Sequence, residues 1–324
     1  MRKLVAMAAL ALALNGSTRA DAQTYPVRPI TIVEPYPAGG PTDVLVRVLS
    51  ERMRASLGQP LIADYVSGAA GTLALARVAR AAPDGYTIQV GHLGSNVVVP
   101  ALYPLSFDVL KDLAPVAQLP NNPFLLVGRP SIPAKDLREL IAWIKANEGK
   151  VSVGTPGVNS LPHVAGIYFQ NLTGTQFPLV PYRGAGPMML DLIAGQIDLA
   201  FDQVQSSLPQ IREGRIKPFA VTAPERLAVL PDVPTVNEAG LPSLDILLWY
   251  GLWVPAGTPP EVIGKLNAAA RDAMGDPATR QRLAEMDMQV PPADQQTPQA
   301  LGALQQAEIK KWWPVMKAAG LKPE

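Results

Sequence analysis

From Arg28 onward the chain repeats one pattern: a short β-branched or apolar run, a Gly/Pro turn, then an amphipathic stripe closed by glycine. This alternation constrains the fold more than any other feature, because βα units on short connections build mostly parallel sheets with helices on both faces. Residues 29–34 read as a strand and Pro35-Tyr36-Pro37-Ala38-Gly39-Gly40 as a turn. From Pro41 a helix follows whose Val44, Leu45, Val48, Leu49, Met53 and Leu57 share a face and stop at Gly58. The pattern returns as a strand at 61–66, the turn Ser67-Gly68-Ala69-Ala70-Gly71, a helix at 72–82, a strand at 86–90 and a loop at 91–96. With 34 prolines in 324 residues, about twice the usual share of roughly 5%, the chain favours short elements and rigid turns over a helical bundle.

A second series begins near Phe124, with strands at 124–128, 151–153, 177–182, 197–201 and 216–222 and helices at 134–147, 161–172, 186–194 and 203–213. Residues 249–254 read as a strand returning to the first sheet. Helices at 259–274, 276–286 and 297–319 follow, the last interrupted by Pro314. The expected organisation is α/β with two lobes, residues 23–123 with 245–324 and residues 124–244. At least two crossovers would join them, and a ligand would sit outside the carboxyl ends of the strands.

Residues 1–22 read as an address. Met1-Arg2-Lys3 is basic, Leu4 to Leu14 is uninterruptedly apolar, and Ala20-Asp21-Ala22 offers the small residues a signal peptidase requires. Cleavage is expected after Ala22, with export of the rest of the chain. The apolar run falls short of the roughly 20 residues that span a bilayer and is broken by Asn15, Gly16, Ser17 and Arg19. The remaining chain carries 25 basic and 26 acidic side chains, a balance without the basic excess of a nucleic-acid reader. With 0 Cys there is no disulfide, thiolate metal site, cysteine nucleophile or lipobox, so a soluble, unanchored protein without metal or cofactor is expected.

Chemistry concentrates at helix starts. The loop 35–40 places small residues and free backbone N–H groups where orphan donors and the positive dipole end favour an anion; alternatively it is an ordinary turn capped by Thr42 or Asp43. Gly68-Ala69-Ala70-Gly71-Thr72 and Gly154-Thr155-Pro156-Gly157-Val158-Asn159-Ser160 repeat this chemistry. Burying a carboxylate costs several kcal/mol and each hydrogen bond to it returns roughly 1.5–3 kcal/mol, so four donors suffice without a lysine. Arg183 follows a strand and pairs either with a ligand carboxylate or with Asp202; Asp202 either receives a ligand's amino or hydroxyl group or caps the next helix. His92 and His163 are packed side chains or bases, and Trp249, Tyr250 and Trp253 alternate between core and a face able to stack on a ligand. No nucleophile elbow, zincin helix, Walker loop or complete dinucleotide fingerprint is present. The only enzymatic pair, Ser160 with His163, lacks a third member and triad geometry.

Tyr25-Pro26-x-Arg28-Pro29-Ile30, Pro35-Tyr36-Pro37-x-Gly39-Gly40-x-x-Asp43 and Pro83-Asp84-Gly85-Tyr86-Thr87 come in that order, followed by Gly154-Thr155-x-Gly157-x-x-Ser160-x-x-His163. Pro181-Tyr182-Arg183-Gly184, Phe201-Asp202, 230–236 and Pro255-Ala256-Gly257-Thr258-Pro259 complete the series. The ordered set resembles the Bug (TctC-type) family of periplasmic substrate-binding proteins over essentially the whole exported chain. The resemblance implies a two-lobed Venus-flytrap receptor without catalytic activity, delivering a small carboxylate to the TctA/TctB-like membrane subunits of a tripartite tricarboxylate transporter. It implies that the carboxylate lies between the loops matching 36–42 and 155–160. The expected ligand-binding residues are Tyr36, Ala38, Gly39, Gly40, Thr42, Thr155, Ser160 and Asp202. Two departures stand out: residues 65–71 lack the family's usual Asn-Arg-Pro lead, and Glu34 stands where an apolar residue is common. The alternatives are a periplasmic hydrolase using Ser160 and His163, and a sensor that hands its closed form to a signalling kinase.

Overall fold

The computed structural model describes residues 25–158 and 160–318; the proposed leader at 1–22 and Asn159 lie outside them. Among the described residues nine strands form one sheet: eight follow the order β2-β1-β3-β9-β4-β7-β5-β6, and β8 branches off that path by pairing with β4. They are β1 (Ile30–Glu34), β2 (Leu61–Tyr65), β3 (Thr87–His92), β4 (Leu113–Gly128), β5 (Val153–Thr155), β6 (Leu179–Pro181), β7 (Leu199–Gln203), β8 (Lys217–Val221) and β9 (Leu247–Pro255). Strands β1, β2 and β3 pair parallel, as do β5, β6 and β7. Strands β4 and β9 pair antiparallel with their neighbours and with each other, and so connect the two groups.

The first helix, α1 (Pro41–Leu57), has Pro at its first turn, Asp43 just inside it, and an αL Gly58 whose N–H returns to Arg54 O. Thr42, Leu45, Val46, Leu49 and Met53 are buried, a stripe at the 3.6-residue period. The expected stripe was off by one position: Val44 is exposed and Val46 takes its place in the core. Helix α2 (Thr72–Ala79), a π-helical turn (Gly94–Val98) and α3 (Val99–Leu102) complete the first group. Helices α4 (Leu137–Ala146), α5 (Leu161–Thr173), α6 (Ala185–Ile193) and α7 (Val204–Arg212) clothe the second. The chain ends in α8 (Pro260–Gly275), α9 (Pro277–Glu285) and α10 (Pro298–Ala318). Pro314 lies inside α10, so the expected interruption does not occur. The lost N–H costs a hydrogen bond, while buried Trp312 and Met316 and the bond from Trp313 Nε1 to Val97 O hold the helix on both sides of it.

Strand β4 is 16 residues long, three times the expected 124–128. Its Pro115, Pro120 and Pro123 conceal it, because proline donates nothing to a ladder and usually marks an edge or bulge. Here the register against β9 shifts between Pro115 and Ala117 and again between Gln118 and Asn121. Beyond the second shift the strand alternates in the usual way: Phe124 and Leu126 enter the main core, Leu125 and Val127 a second cluster with Met188, Leu192 and Val204. Beside the crossing, Asn121 bridges Gln289 and Asn122 Nδ2 donates to Gln205 Oε1 at 3.0 Å. Gln205 Nε2 in turn donates to Met286 O at 2.6 Å.

Candidate functional site

Two register pairs set the first half of the site. Glu34 of β1 lies beside Tyr65 of β2, and His92 of β3 beside Tyr250 of β9. Register partners project to the same face of a sheet. Tyr65 OH donates to Asp43 Oδ1 at 2.8 Å and the Tyr250 phenol is hydrogen-bonded to the Thr42 hydroxyl, so both pairs face the start of α1. Above them the Tyr36 ring stacks on His92 at 5.1 Å and 6°, and His92 meets Tyr250 edge-on at 5.5 Å and 87°. The loop of Gly68 to Gly71 closes in from the side: a Cβ on Gly71 would sit 3.0 Å from Pro35 Cβ and 3.6 Å from Ser95 Cβ.

The cluster is rich in donors and has little net charge. His92 Nδ1 accepts from the backbone N–H of Gly94 (2.9 Å) and Ser95 (3.3 Å), which leaves its proton on Nε2. Burial, partly opposed by a backbone hydrogen bond, lowers its pKa to about 4. Burial raises the phenols of Tyr36 and Tyr250; the Tyr250 phenol raises Tyr36 further, while the hydrogen bond to Thr42 partly offsets the rise at Tyr250. The capping position Gly40 has extended backbone and no side-chain cap. Among the described residues no acceptor meets the N–H of Gly40, Thr42 or Asp43. The Gly39 N–H is engaged, donating to Asp43 Oδ2 at 2.6 Å. Burial pushes Asp43 upward, but the bonds from Arg47, Gly39 and Tyr65 outweigh it and hold the carboxylate below its usual range. Gly39 and Ala38 are exposed, Tyr36 and Gly40 half-buried, Thr42 buried.

The second half is built around Gly157. Thr155, wholly buried at the end of β5, directs Oγ1 to Gly157 O at 3.4 Å. Ser160 donates to the same carbonyl at 2.7 Å and accepts from His163 N at 3.3 Å, capping α5. Asp202, buried on β7, accepts from Ser206 Oγ and from Ser207 Oγ (2.7 Å) on the first turns of α7. Burial raises its pKa against those bonds. Asp202 does not cap α7, whose capping position is Gln203 without a side-chain hydrogen bond; it holds the hydroxyls of two serines of that helix instead. The pairing with Arg183 is not formed among the described residues: Arg183 is exposed, and Asp202 is engaged by the serine hydroxyls.

A family model described as the tripartite tricarboxylate transporter family receptor (TctC) matches residues 45–321. The chain belongs to this TctC family. MatC from Rhodopseudomonas palustris, solved with bound malate, is 40% identical with a TM-score of 0.79, covering 90% of this chain and 99% of that one. The periplasmic binding protein BugD is 33% identical with a TM-score of 0.79, covering 93% and 100%. A further R. palustris protein, solved with adipate, is 31% identical with a TM-score of 0.81, covering 93% and 100%. The mixed α/β fold is thus that of the TctC and Bug periplasmic binding proteins.

In this TctC chain Tyr36, Gly40 and Thr42 lie together at the start of α1, and Thr155 and Ser160 share the Gly157 carbonyl. The sequence reading did not join His92 and Tyr250 to them; the one signal was the alternation of Trp249, Tyr250 and Trp253 along β9. Among the described residues no helix is long and apolar enough to cross a membrane and no His/Asp/Glu group is arranged to hold a metal.

Proposed function

We propose that this TctC-family chain is an extracytoplasmic receptor that captures a small organic carboxylate and passes it to TctA/TctB-like membrane subunits. The observation that carries the reading is the start of α1, where three backbone N–H groups lack an acceptor among the described residues, beside a rim of uncharged donors, Tyr36, His92 and Tyr250. An anion there meets the orphan donors and the positive helix end together. Tyr36, Ala38, Gly40 and Thr42 would approach it from one lobe, with Gly39 shaping the turn at φ +84°. Thr155, Ser160 and Asp202 would approach from the other. The lobes, residues 23–123 with 245–324 and residues 124–244, would close about the crossing strands β4 and β9, the ligand biasing the closed state through contacts it makes only there. The malate and adipate in relatives make dicarboxylates of that range the class to test first.

The chain is a binder and not a hydrolase in this reading, because the Ser160 hydroxyl is held by Gly157 O and the start of α5. Removal of residues 1–22 would leave it free in the periplasm. Calorimetry on protein stripped of ligand by unfolding and refolding, against malate, succinate, adipate and citrate, tests the reading. One or more should bind near micromolar affinity, about −8 kcal/mol, and raise Tm by several degrees at saturation. Absence of binding to every carboxylate, with turnover of simple esters that Ser160→Ala abolishes, would replace the receptor by the hydrolase.

A further inference from the structure

Glu34 has no role in the scheme above, and its surroundings do little to compensate a charge. It is 0% exposed, and among the described residues neither carboxyl oxygen has a hydrogen-bond partner. It ends β1 immediately before the loop 35–40 and, as the register partner of Tyr65, lies on the sheet face that looks at the start of α1. The ionisable groups of the elements around it are Asp43 and Arg47 on α1, Tyr65 on β2, Tyr36 on the loop, His92 on β3 and Tyr250 on β9. Helix α2, also packed on β1, contributes only Arg77, which pairs with Asp64. Among the described residues Arg47 is the cation whose charge acts on Glu34, and it is already bonded to Asp43 at 2.8 Å. An isolated carboxylate in such a place costs several kcal/mol, and the usual escape is to keep its proton.

We propose that Glu34 is a specificity-determining residue through which the site takes its carboxylate together with one proton. The inference rests on the carboxylate reading of the α1 site. Two carboxylates that share a site cannot both stay ionised, so the arriving anion completes protonation of Glu34: ligand carboxylate, Glu34 carboxylate and one solvent proton become ligand carboxylate and Glu34 carboxylic acid, with no other bond made or broken. Geometry and titration agree, since burial and the neighbouring Asp43 charge raise Glu34 to about 7 while Arg47 opposes them. Glu34 is therefore partly ionised near neutral pH and poised to respond. The consequence is discrimination by pH: above the pKa of Glu34 each unit of pH removes a factor of ten from affinity, and below it affinity is flat.

The test is calorimetry of the full exported chain with malate, succinate and adipate between pH 5.5 and 8.5, in HEPES and in Tris, whose different ionisation enthalpies reveal protons exchanged on binding. Wild type should take up a substantial fraction of one proton per ligand at pH 7.5 and weaken about tenfold from pH 7.5 to 8.5. Glu34→Gln should show neither uptake nor slope; Glu34→Val, apolar like the residue common in the family, checks the same loss should the glutamine variant fold poorly. Binding without proton uptake in wild type overturns the inference and leaves the receptor standing. Uptake that persists in both variants also overturns it, placing the proton elsewhere, with His92 the next group to examine. If no carboxylate binds at any pH, the receptor reading fails and takes this inference with it.

Discussion

At the start of α1 the capping position is Gly40 and no side chain serves the first turn, whereas at the start of α5 the capping Ser160 binds His163 N and Gly157 O. Both helices begin with a Gly-rich loop after a parallel strand and carry Pro in the first turn, so the local sequences look alike. The physical difference is where the orphan donors find their acceptor. In α5 the chain supplies one itself; in α1 it supplies aromatic rims and leaves the N–H groups open. A helix start that satisfies itself contributes stability, and one that does not is free to contribute affinity.

The strongest way to break this contrast is to give α1 the internal acceptor it lacks. Gly40 has φ −78°, and a Cβ there would meet only Pro37 O at 3.5 Å, an ordinary contact. Gly40→Asp should therefore fold, stabilise α1 by a few tenths of a kcal/mol as a better cap, and abolish carboxylate binding. Losing two charge-assisted bonds at roughly 1.5–3 kcal/mol each weakens affinity at least about 100-fold, and the like charge adds to that. Calorimetry beside thermal unfolding checks both signs; unchanged affinity would mean the α1 start is not the anion site.

The next effect is on acid stability. The folded pKa of His92, about 4, lies below the unfolded value near 6.5, so the unfolded chain takes up a proton that the folded chain refuses. Stability from this group is intact above pH 6.5, declines as pH falls, and is lost by pH 4, a change of up to roughly 3 kcal/mol. Asp43, held low by its three donors, works in the opposite sense to Glu34: its stabilisation is present above the unfolded carboxylate range and is lost only as pH falls through its folded value. Nitrogen NMR of His92 should show a neutral ring protonated at Nε2 at pH 6; an imidazolium there would remove the uncharged rim from the α1 side.

Smaller is the effect of opening the closed terminus. Ser160→Ala removes the cap of α5 and the bond to Gly157 O, and caps of this kind are worth about 1 kcal/mol, read as a fall of a few degrees in Tm. A loss confined to affinity, with Tm unchanged, would show that α5 is as open as α1 and erase the comparison.

Much of this was legible locally. Helix α1 was placed from Pro41 to Gly58, and the loops at 35–40 and 154–160 were recognised by their glycines and hydroxyls. What failed was non-local. The first half of β4 hides behind Pro115, Pro120 and Pro123 because its identity comes from pairing with β9, a strand far along the chain. His92 and Tyr250 meet only through antiparallel register, which no local spacing encodes. Of the two partners open to Arg183, Asp202 is not one it meets among the described residues, where Ser206 and Ser207 hold that carboxylate.

Tyr250 gives the finest discrimination, because it belongs both to a crossing strand and to the α1 site. Along β9, Trp249 and Trp253 project to one face, their rings 6.1 Å apart, while Tyr250 projects to the other and reaches Thr42. Tyr250→Phe keeps the ring against His92 and removes only the phenol. If the ring is packing alone, the loss is the Thr42 bond, about 1 kcal/mol of stability, and affinity is untouched. If the phenol belongs to the rim that receives the anion, stability changes little more and affinity falls roughly 3- to 10-fold, the equivalent of a single hydrogen bond. Because β9 also carries the chain between the two sheets, the second result would make the same strand report ligand contact and lobe closure, and Trp249→Phe on the opposite face should then leave affinity within about 2-fold of wild type.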